Sequence, residues 1–96
     1  MMIAQVLGTA VATLKDQRLE GKKILLVAPA NAKGEGVGEP FLAVDLVGAG
    51  EGELVFIAQG STARLAVGAN DNPVDAAIVG ILNSLSVSGK TTYRKE

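Results

Sequence analysis

Two glycine-rich stretches of the sequence contain the residue types of phosphate-binding loops. The first is GAGEG at residues 48–52, directly after an apolar run that ends at Val47. A dinucleotide-binding turn has the pattern G-x-G-x-x-G between a strand and a helix, whose N-terminal amides bind the pyrophosphate. Here Glu53 occupies the position of the third glycine, and the apolar residues 54–58 predict a strand rather than a helix. We therefore interpret these glycines as a tight turn between two strands, without a cofactor.

The second stretch, Ser88-Gly89-Lys90-Thr91-Thr92, contains the G-K-T of a phosphate-binding loop. The full motif requires a glycine five residues before Gly89, where this chain has Ser84. Only four residues follow Thr92, too few for the helix that would face a phosphate. This stretch is interpreted as a turn before a charged tail.

Three charged residues, Asp45, Arg64 and Asp75, lie in or beside apolar sequence. An unpaired charge in such surroundings is costly, so we expect structural ion pairing or a place in a subunit interface. Arg64 is expected to meet a carboxylate in bidentate geometry. The alternative is a catalytic carboxylate pair of Asp45 and Asp75, but neither a histidine nor a set of metal ligands accompanies them. We assign no catalytic residue, metal or cofactor.

Composition limits the class of protein. The 96 residues form one domain, and 48% of them are hydrophobic, nearly all aliphatic, which favours oligomerisation. The net charge of -1 provides no basic surface for nucleic acid or an anionic membrane. Cysteine and histidine are absent, which excludes disulfides, thiolate catalysis and the commonest general base. We expect neither a signal peptide nor a membrane span.

The pattern of apolar runs and glycine turns predicts an all-β fold. The expected strands are Met2–Thr13, Lys23–Ala28, Phe41–Val47, Glu53–Gln59 and Asp75–Val87, with a mobile loop over Asn31–Pro40. A helical turn is expected between the fourth and fifth strands, with Ser61 as its N-cap. These elements predict a small five-stranded, OB-like β-barrel as a single domain over residues 1–96. Residues 89–96 are expected to be a C-terminal extension or a short extra strand.

Five fragments, in order, carry a family resemblance: IAQVLGTAVAT, LEGKKILLV, AVDLVGAGEGELV, QGSTAR and PVDAAIVGIL. They span about residues 1 to 95, and together they resemble the EutN/CcmL family of bacterial microcompartment vertex proteins. The resemblance implies a cytoplasmic, structural protein that forms homopentamers. These would cap the vertices of an icosahedral shell together with hexameric and trimeric shell proteins.

The same resemblance implies two contact regions. Gly48, Ala49 and Gly50 would form a rim that faces an adjoining hexamer, where absent side chains let two backbones approach. Gly60, Ser61 and Thr62 would lie at the fivefold axis and line a narrow polar opening. The family commonly has a second serine where this chain has Thr62, which keeps the hydroxyl.

Two alternative functions remain open from the residues. An oligonucleotide-binding module on the same barrel would need a basic groove and stacking aromatics, and the chain has only Phe41, Phe56 and Tyr93. A small enzyme or nucleotide binder would be stabilised by its ligand. We expect no binding of single-stranded nucleic acid and no stabilisation by NAD or ATP.

Overall fold

Five strands close into a barrel in the computed structural model, which describes residues 1–13, 19, 21–68 and 73–96. The barrel elements are β1 (Met2–Ala10), β2 (Lys23–Pro29), β3 (Phe41–Asp45), β4 (Leu54–Gln59) and β5 (Ala76–Ile81), with helix α1 (Gly60–Val67) between β4 and β5. The strand order is β1-β2-β3-β5-β4; β3 and β5 are parallel, and the other neighbours are antiparallel. The predicted five-stranded barrel with one short helix is confirmed.

Aliphatic side chains, mostly alanine and valine, fill the barrel interior, because five strands enclose little space. The buried residues inside it are Ala4, Val6, Leu25, Val27, Ala43, Ala49, Val55, Ile57, Ala76 and Ile78. Ala4 and Val6 alternate with less buried residues along β1. The strand ends at Ala10 rather than Thr13, and a bulge between Val6 and Gly8 changes its register.

Helix α1 packs outside the barrel through Ala63, which is buried in a second apolar cluster with Val44, Ala58, Val74 and Ala77. Its N-cap is Gln59, in an extended conformation and without a side-chain capping bond. The expectation that Ser61 caps the helix is therefore wrong, because the helix already begins at Gly60. Its C-terminus is satisfied by the Gly68 amide, which donates to the carbonyls of Arg64 and Leu65.

The expected fifth strand, Asp75–Val87, is two strands in the structure. After β5 the Leu82 amide donates to the Leu54 carbonyl, and the chain then leaves the barrel. It continues as a hairpin of β6 (Ser84–Val87) and β7 (Lys90–Arg94). The single-strand prediction is wrong, because the apolar pattern does not reveal this break. Ser88 and Gly89 both have positive φ, as in the two-residue turns that suit hairpins.

We expected a mobile loop from Asn31 to Pro40, but in the structure hydrogen bonds and packing attach this loop to its surroundings. The Asn31 side-chain oxygen accepts hydrogen bonds from the amides of Lys33 and Glu35. The Thr92 hydroxyl of β7 donates to the Ala32 carbonyl. Gly34 is buried beside Tyr93, whose ring leaves no room for a Cβ at that position. The hairpin and the loop thus support each other.

Candidate functional site

The first glycine-rich stretch is a turn organised by the carboxylate of Asp45. Its Oδ1 accepts hydrogen bonds from the amides of Val47 and Gly48, both at 3.1 Å, and its Oδ2 accepts one from Ala49 at 3.0 Å. Three donors converging on one carboxylate end β3 at Asp45, two residues earlier than predicted. Gly48 has a φ of 78°, a conformation that favours glycine.

A second carboxylate, that of Glu53, holds the other side of the same turn. Its Oε1 accepts a hydrogen bond from the Gly50 amide at 2.6 Å, and its Oε2 lies 2.9 Å from the Nζ of Lys95. Lys95, and then the Gly50 amide, lower the pKa of Glu53 below its ordinary value, against a smaller opposing effect of burial. The carboxylate therefore stays charged at lower pH than an ordinary glutamate does.

The three residues of the predicted rim present different surfaces. Gly48 and Gly50 are exposed, whereas Ala49 is only 2% exposed and its methyl group belongs to the barrel interior. Ala49 therefore anchors the turn, and only backbone is offered to an approaching molecule at the two glycines. A Cβ at Gly48 would have nothing within 4 Å, and one at Gly50 would meet only the Oε1 of Glu53 at 3.5 Å.

The predicted axis residues Gly60, Ser61 and Thr62 form the first turn of α1 and are all exposed. The amide of Gly60 donates to the carbonyl of Asp75 at 2.9 Å, which fixes the start of the helix against the entry to β5. Ser61 and Thr62 lie inside the helix rather than at its N-cap, and both are exposed at the surface. Five copies around an axis could therefore present hydroxyl groups.

The structure separates the predicted rim from the predicted axis. They lie at opposite ends of β4, whose six residues span roughly 20 Å. Asp45 belongs to the glycine turn, and Asp75 lies beside the start of α1. Asp45 is paired with Ile78, three residues after Asp75, so the two aspartates are separated by roughly 10 Å along the strands β3 and β5. That spacing is too long for a carboxylate dyad sharing one proton. Arg64 is half-buried in the last turn of α1, and its pairing with a carboxylate remains a prediction.

Apolar side chains remain exposed on two different sides of the barrel. Ile3, Phe56 and Gly80 are cross-strand partners on β1, β4 and β5, and Phe56 is 37% exposed. Leu26 and Leu42 are partners on β2 and β3, and Leu42 is 52% exposed. Leu42 also borders shallow clefts beside Asp75, next to the start of α1. These two surfaces, here called the Phe56 face and the Leu42 face, are candidates for contact with other subunits.

The described ranges contain neither a metal-ligand cluster nor a membrane-spanning helix. No group of three or more carboxylate, histidine or cysteine side chains among these residues could hold a metal ion. None of the described helices has the length and apolar character needed to cross a bilayer. The cleft between the glycine turn and residues 93–96, of about 410 Å³, is lined mainly by charged side chains.

Sequence reasoning missed the contacts of Glu53 with the Gly50 amide and with Lys95. In the sequence Glu53 is only the residue that breaks the dinucleotide pattern. Nothing in the sequence joins it to Lys95, since the contact depends on how the β6–β7 hairpin folds back. The Phe56 face was also missed, because Phe56 occurs in a continuous apolar run and appears buried.

The sequence and the fold of this chain are similar to those of known microcompartment shell proteins. The family described as "Ethanolamine utilisation protein EutN/carboxysome" matches residues 1–83. The chain is 43% identical over 95 residues to the carboxysome shell vertex protein CcmL of Synechocystis sp., covering 99% of this chain and 95% of that protein. A solved structure of the ethanolamine utilization protein EutN has a TM-score of 0.92 at 33% identity, with complete coverage of both chains. The pentameric microcompartment shell protein GrpN from Rhodospirillum rubrum has a TM-score of 0.80 at 39% identity, covering 91% of this chain and 99% of that one.

Proposed function

The chain belongs to the EutN/CcmL family, and from this premise we propose that it is a vertex protein of a bacterial microcompartment shell. It is a structural subunit and not an enzyme. Its homopentamers cap the vertices of the icosahedral shell in the bacterial cytoplasm. The observation that carries this proposal is the likeness of nearly the whole chain to the pentameric shell protein GrpN.

Ring closure follows from the two exposed apolar surfaces. A closed ring of identical subunits requires two different faces on each subunit, because each interface is heterologous. The Phe56 face and the Leu42 face lie on different sides of the barrel and supply such a pair. Burial of aliphatic and aromatic area between neighbours stabilises the ring by about 25 cal/mol per Å², less the cost of association.

The glycine turn forms the contact with neighbouring shell proteins. Gly48 and Gly50 expose backbone without side chains, and the carboxylates of Asp45 and Glu53 keep that backbone in one conformation. An edge of a hexameric or trimeric shell protein can therefore approach closely and pair with exposed amides and carbonyls. Ala49 supports this role from inside the barrel rather than at the contact.

The start of α1 faces the fivefold axis. In that position, five copies of Ser61 and Thr62 line the opening with hydroxyl groups, and Gly60 keeps the backbone clear of bulk. Asp75 ties this segment to the barrel through its carbonyl, and its exposed side chain is available at the subunit interface together with Arg64. This arrangement places polar groups at the centre of the ring and the glycine turn at its periphery.

The oligonucleotide-binding alternative has no support from the positions of the aromatic residues. Tyr93 of the hairpin packs against Gly34 of the loop between β2 and β3. The ring of Phe56 lies close to Gly80 on β5. Stacking of successive bases requires aromatic side chains along one basic groove. The aromatic rings here serve packing and an apolar surface instead.

The mass in solution tests ring formation. Light scattering of the full chain should give about five times the chain mass of 9.8 kDa, which is about 49 kDa. A monomer at high protein concentration would refute the proposed ring.

Shell closure tests the position of the rim. Gly48→Leu should form rings of normal mass but should fail to close shells when co-assembled with a hexameric shell protein, as seen by electron microscopy. Gly21→Leu is the matched control, because Gly21 has a φ of 77° against 78° at Gly48 and neither position has an atom within 4 Å of an added Cβ. Both variants carry the same backbone strain. If Gly48→Leu closes shells as well as Gly21→Leu does, the rim has been placed wrongly.

A further inference from the structure

The glycine turn is connected to the C-terminal end of the chain through one carboxylate. Glu53 accepts the Gly50 amide with one oxygen and contacts the Nζ of Lys95 with the other, at 2.6 and 2.9 Å. Lys95 is itself held by its backbone, since its amide donates to the carbonyl of Asn83 at 2.8 Å. A continuous series of contacts thus runs from the base of the β6–β7 hairpin to the exposed backbone of the turn.

We propose that Glu53 and Lys95 are positioning residues, which hold the Gly48–Gly50 backbone in the conformation that a neighbouring shell protein meets. This proposal rests on the rim assigned to the same turn under the proposed function. Neither side chain needs to touch the neighbour. Their role is to restrict the turn before contact, which lowers the ordering cost that binding must overcome.

The chemistry of the contact suits this role. Gly50 has no side chain, so its backbone can adopt more conformations than that of any other residue type. Its φ in the structure is one that other residues also adopt. A charge-assisted hydrogen bond restricts it more strongly than a neutral one. The ion pair keeps Glu53 charged and fixes its rotamer. Besides Lys95, the titratable side chains around this cleft are Glu51, Tyr93, Arg94 and Glu96.

The two partners come from different parts of the chain. Glu53 lies within residues 1–83, which match the family, whereas Lys95 lies after the β6–β7 hairpin and outside that match. The ion pair thus joins the part of the chain that the family model matches to the C-terminal segment, which the alignments with CcmL and EutN also cover. The hairpin acquires a function through this connection, because it carries Lys95 to the rim.

Nuclear magnetic resonance on the intact ring tests the connection directly. In Lys95→Met the pKa of the Glu53 carboxyl should rise, and hydrogen exchange of the Gly50 amide should accelerate about tenfold or more. Glu53→Gln loses both the charge on the acceptor and the ion pair, so its Gly50 amide should exchange at least as fast as in Lys95→Met. Lys90→Met is the control, since Lys90 begins β7 about 16 Å along the strand from Lys95. It should leave both quantities unchanged.

Co-assembly with a hexameric shell protein then tests the consequence for the shell. Lys95→Met rings of normal mass should close several-fold fewer shells than Lys90→Met rings, and about 1 M salt should reduce the difference by screening the ion pair. An unchanged Glu53 pKa and unchanged Gly50 exchange in Lys95→Met would overturn the connection. Normal closure by Lys95→Met, with closure lost in Gly48→Leu, would overturn the positioning role while the rim stands. Normal closure by Gly48→Leu would instead remove the rim on which the inference rests.

Discussion

Replacing Leu42 with alanine should weaken ring closure while leaving the barrel folded. Leu42 is 52% exposed on the outer surface of β3 and borders the clefts beside Asp75. Full burial of a leucine side chain stabilises by about 1.5–3 kcal/mol, so covering the exposed half in an interface contributes about 0.8–1.6 kcal/mol. A ring of five identical interfaces would lose about 4–8 kcal/mol.

The loss converts into a concentration that can be measured. At the midpoint of dissociation, the dissociation constant of a pentamer scales with the fourth power of the protein concentration. A loss of about 4–8 kcal/mol per ring therefore acts on the midpoint concentration as about 1–2 kcal/mol. The midpoint of dissociation on dilution should therefore rise about five- to thirty-fold. Sedimentation velocity or light scattering over a dilution series gives this midpoint, and circular dichroism verifies that the strands remain.

Val87→Ala is the matched control, because Val87 is 48% exposed on β6 of the hairpin rather than on the barrel. Its midpoint should stay within twofold of the unsubstituted chain. If Leu42→Ala also stays within twofold, the Leu42 face does not take part in ring closure. If both variants shift equally, general apolar exposure, and not this face, governs association.

Three further predictions concern the turn and the helix. Asp45→Ala should lower the free energy of unfolding, measured by chemical denaturation, by about 1–3 kcal/mol, because three turn amides lose their acceptor. A change below about 0.5 kcal/mol would show that water replaces the carboxylate at no cost. Ser61→Ala should change stability by less than about 0.5 kcal/mol, since the hydroxyl caps nothing, and a loss near 1 kcal/mol would restore its capping role. The folded-state pKa of Glu53 is lowered, so its stabilising contribution is fully present above about pH 4.5 and is lost as pH falls through that lowered pKa. The acid sensitivity of unfolding should accordingly shrink in Glu53→Gln, and an identical pH profile would contradict the ion pair.

Local sequence patterns determined most of the barrel. Alternating and continuous apolar runs specify strands, and the glycines between residues 48 and 52 require a turn there whatever surrounds it. The failure of the dinucleotide motif at Glu53 could also be established from spacing alone. These features depend on neighbours in the chain, so sequence reasoning reached them.

Contacts between distant segments decided the remainder. After β5 the Leu82 amide still bonds to the Leu54 carbonyl, and the chain leaves the barrel at Asn83 and Ser84. These polar residues are typical of turns, but whether they interrupt one strand or separate two is decided by the pairing of β6 with β7. Ser61 looks like a helix cap in the sequence, but the helix begins at Gly60, whose amide bonds to the carbonyl at residue 75.

The carboxylates show the same division most clearly. The sequence identifies Asp45 as a charge beside apolar residues, whereas only the folded turn directs three amides to it. Glu53 meets Lys95 because closure of the barrel and return of the hairpin bring the two residues together. Sequence fixes which groups can bond, since composition and local periodicity are properties of neighbouring residues. Tertiary structure selects the partners, since closing the loops between distant segments depends on the packing of the whole chain.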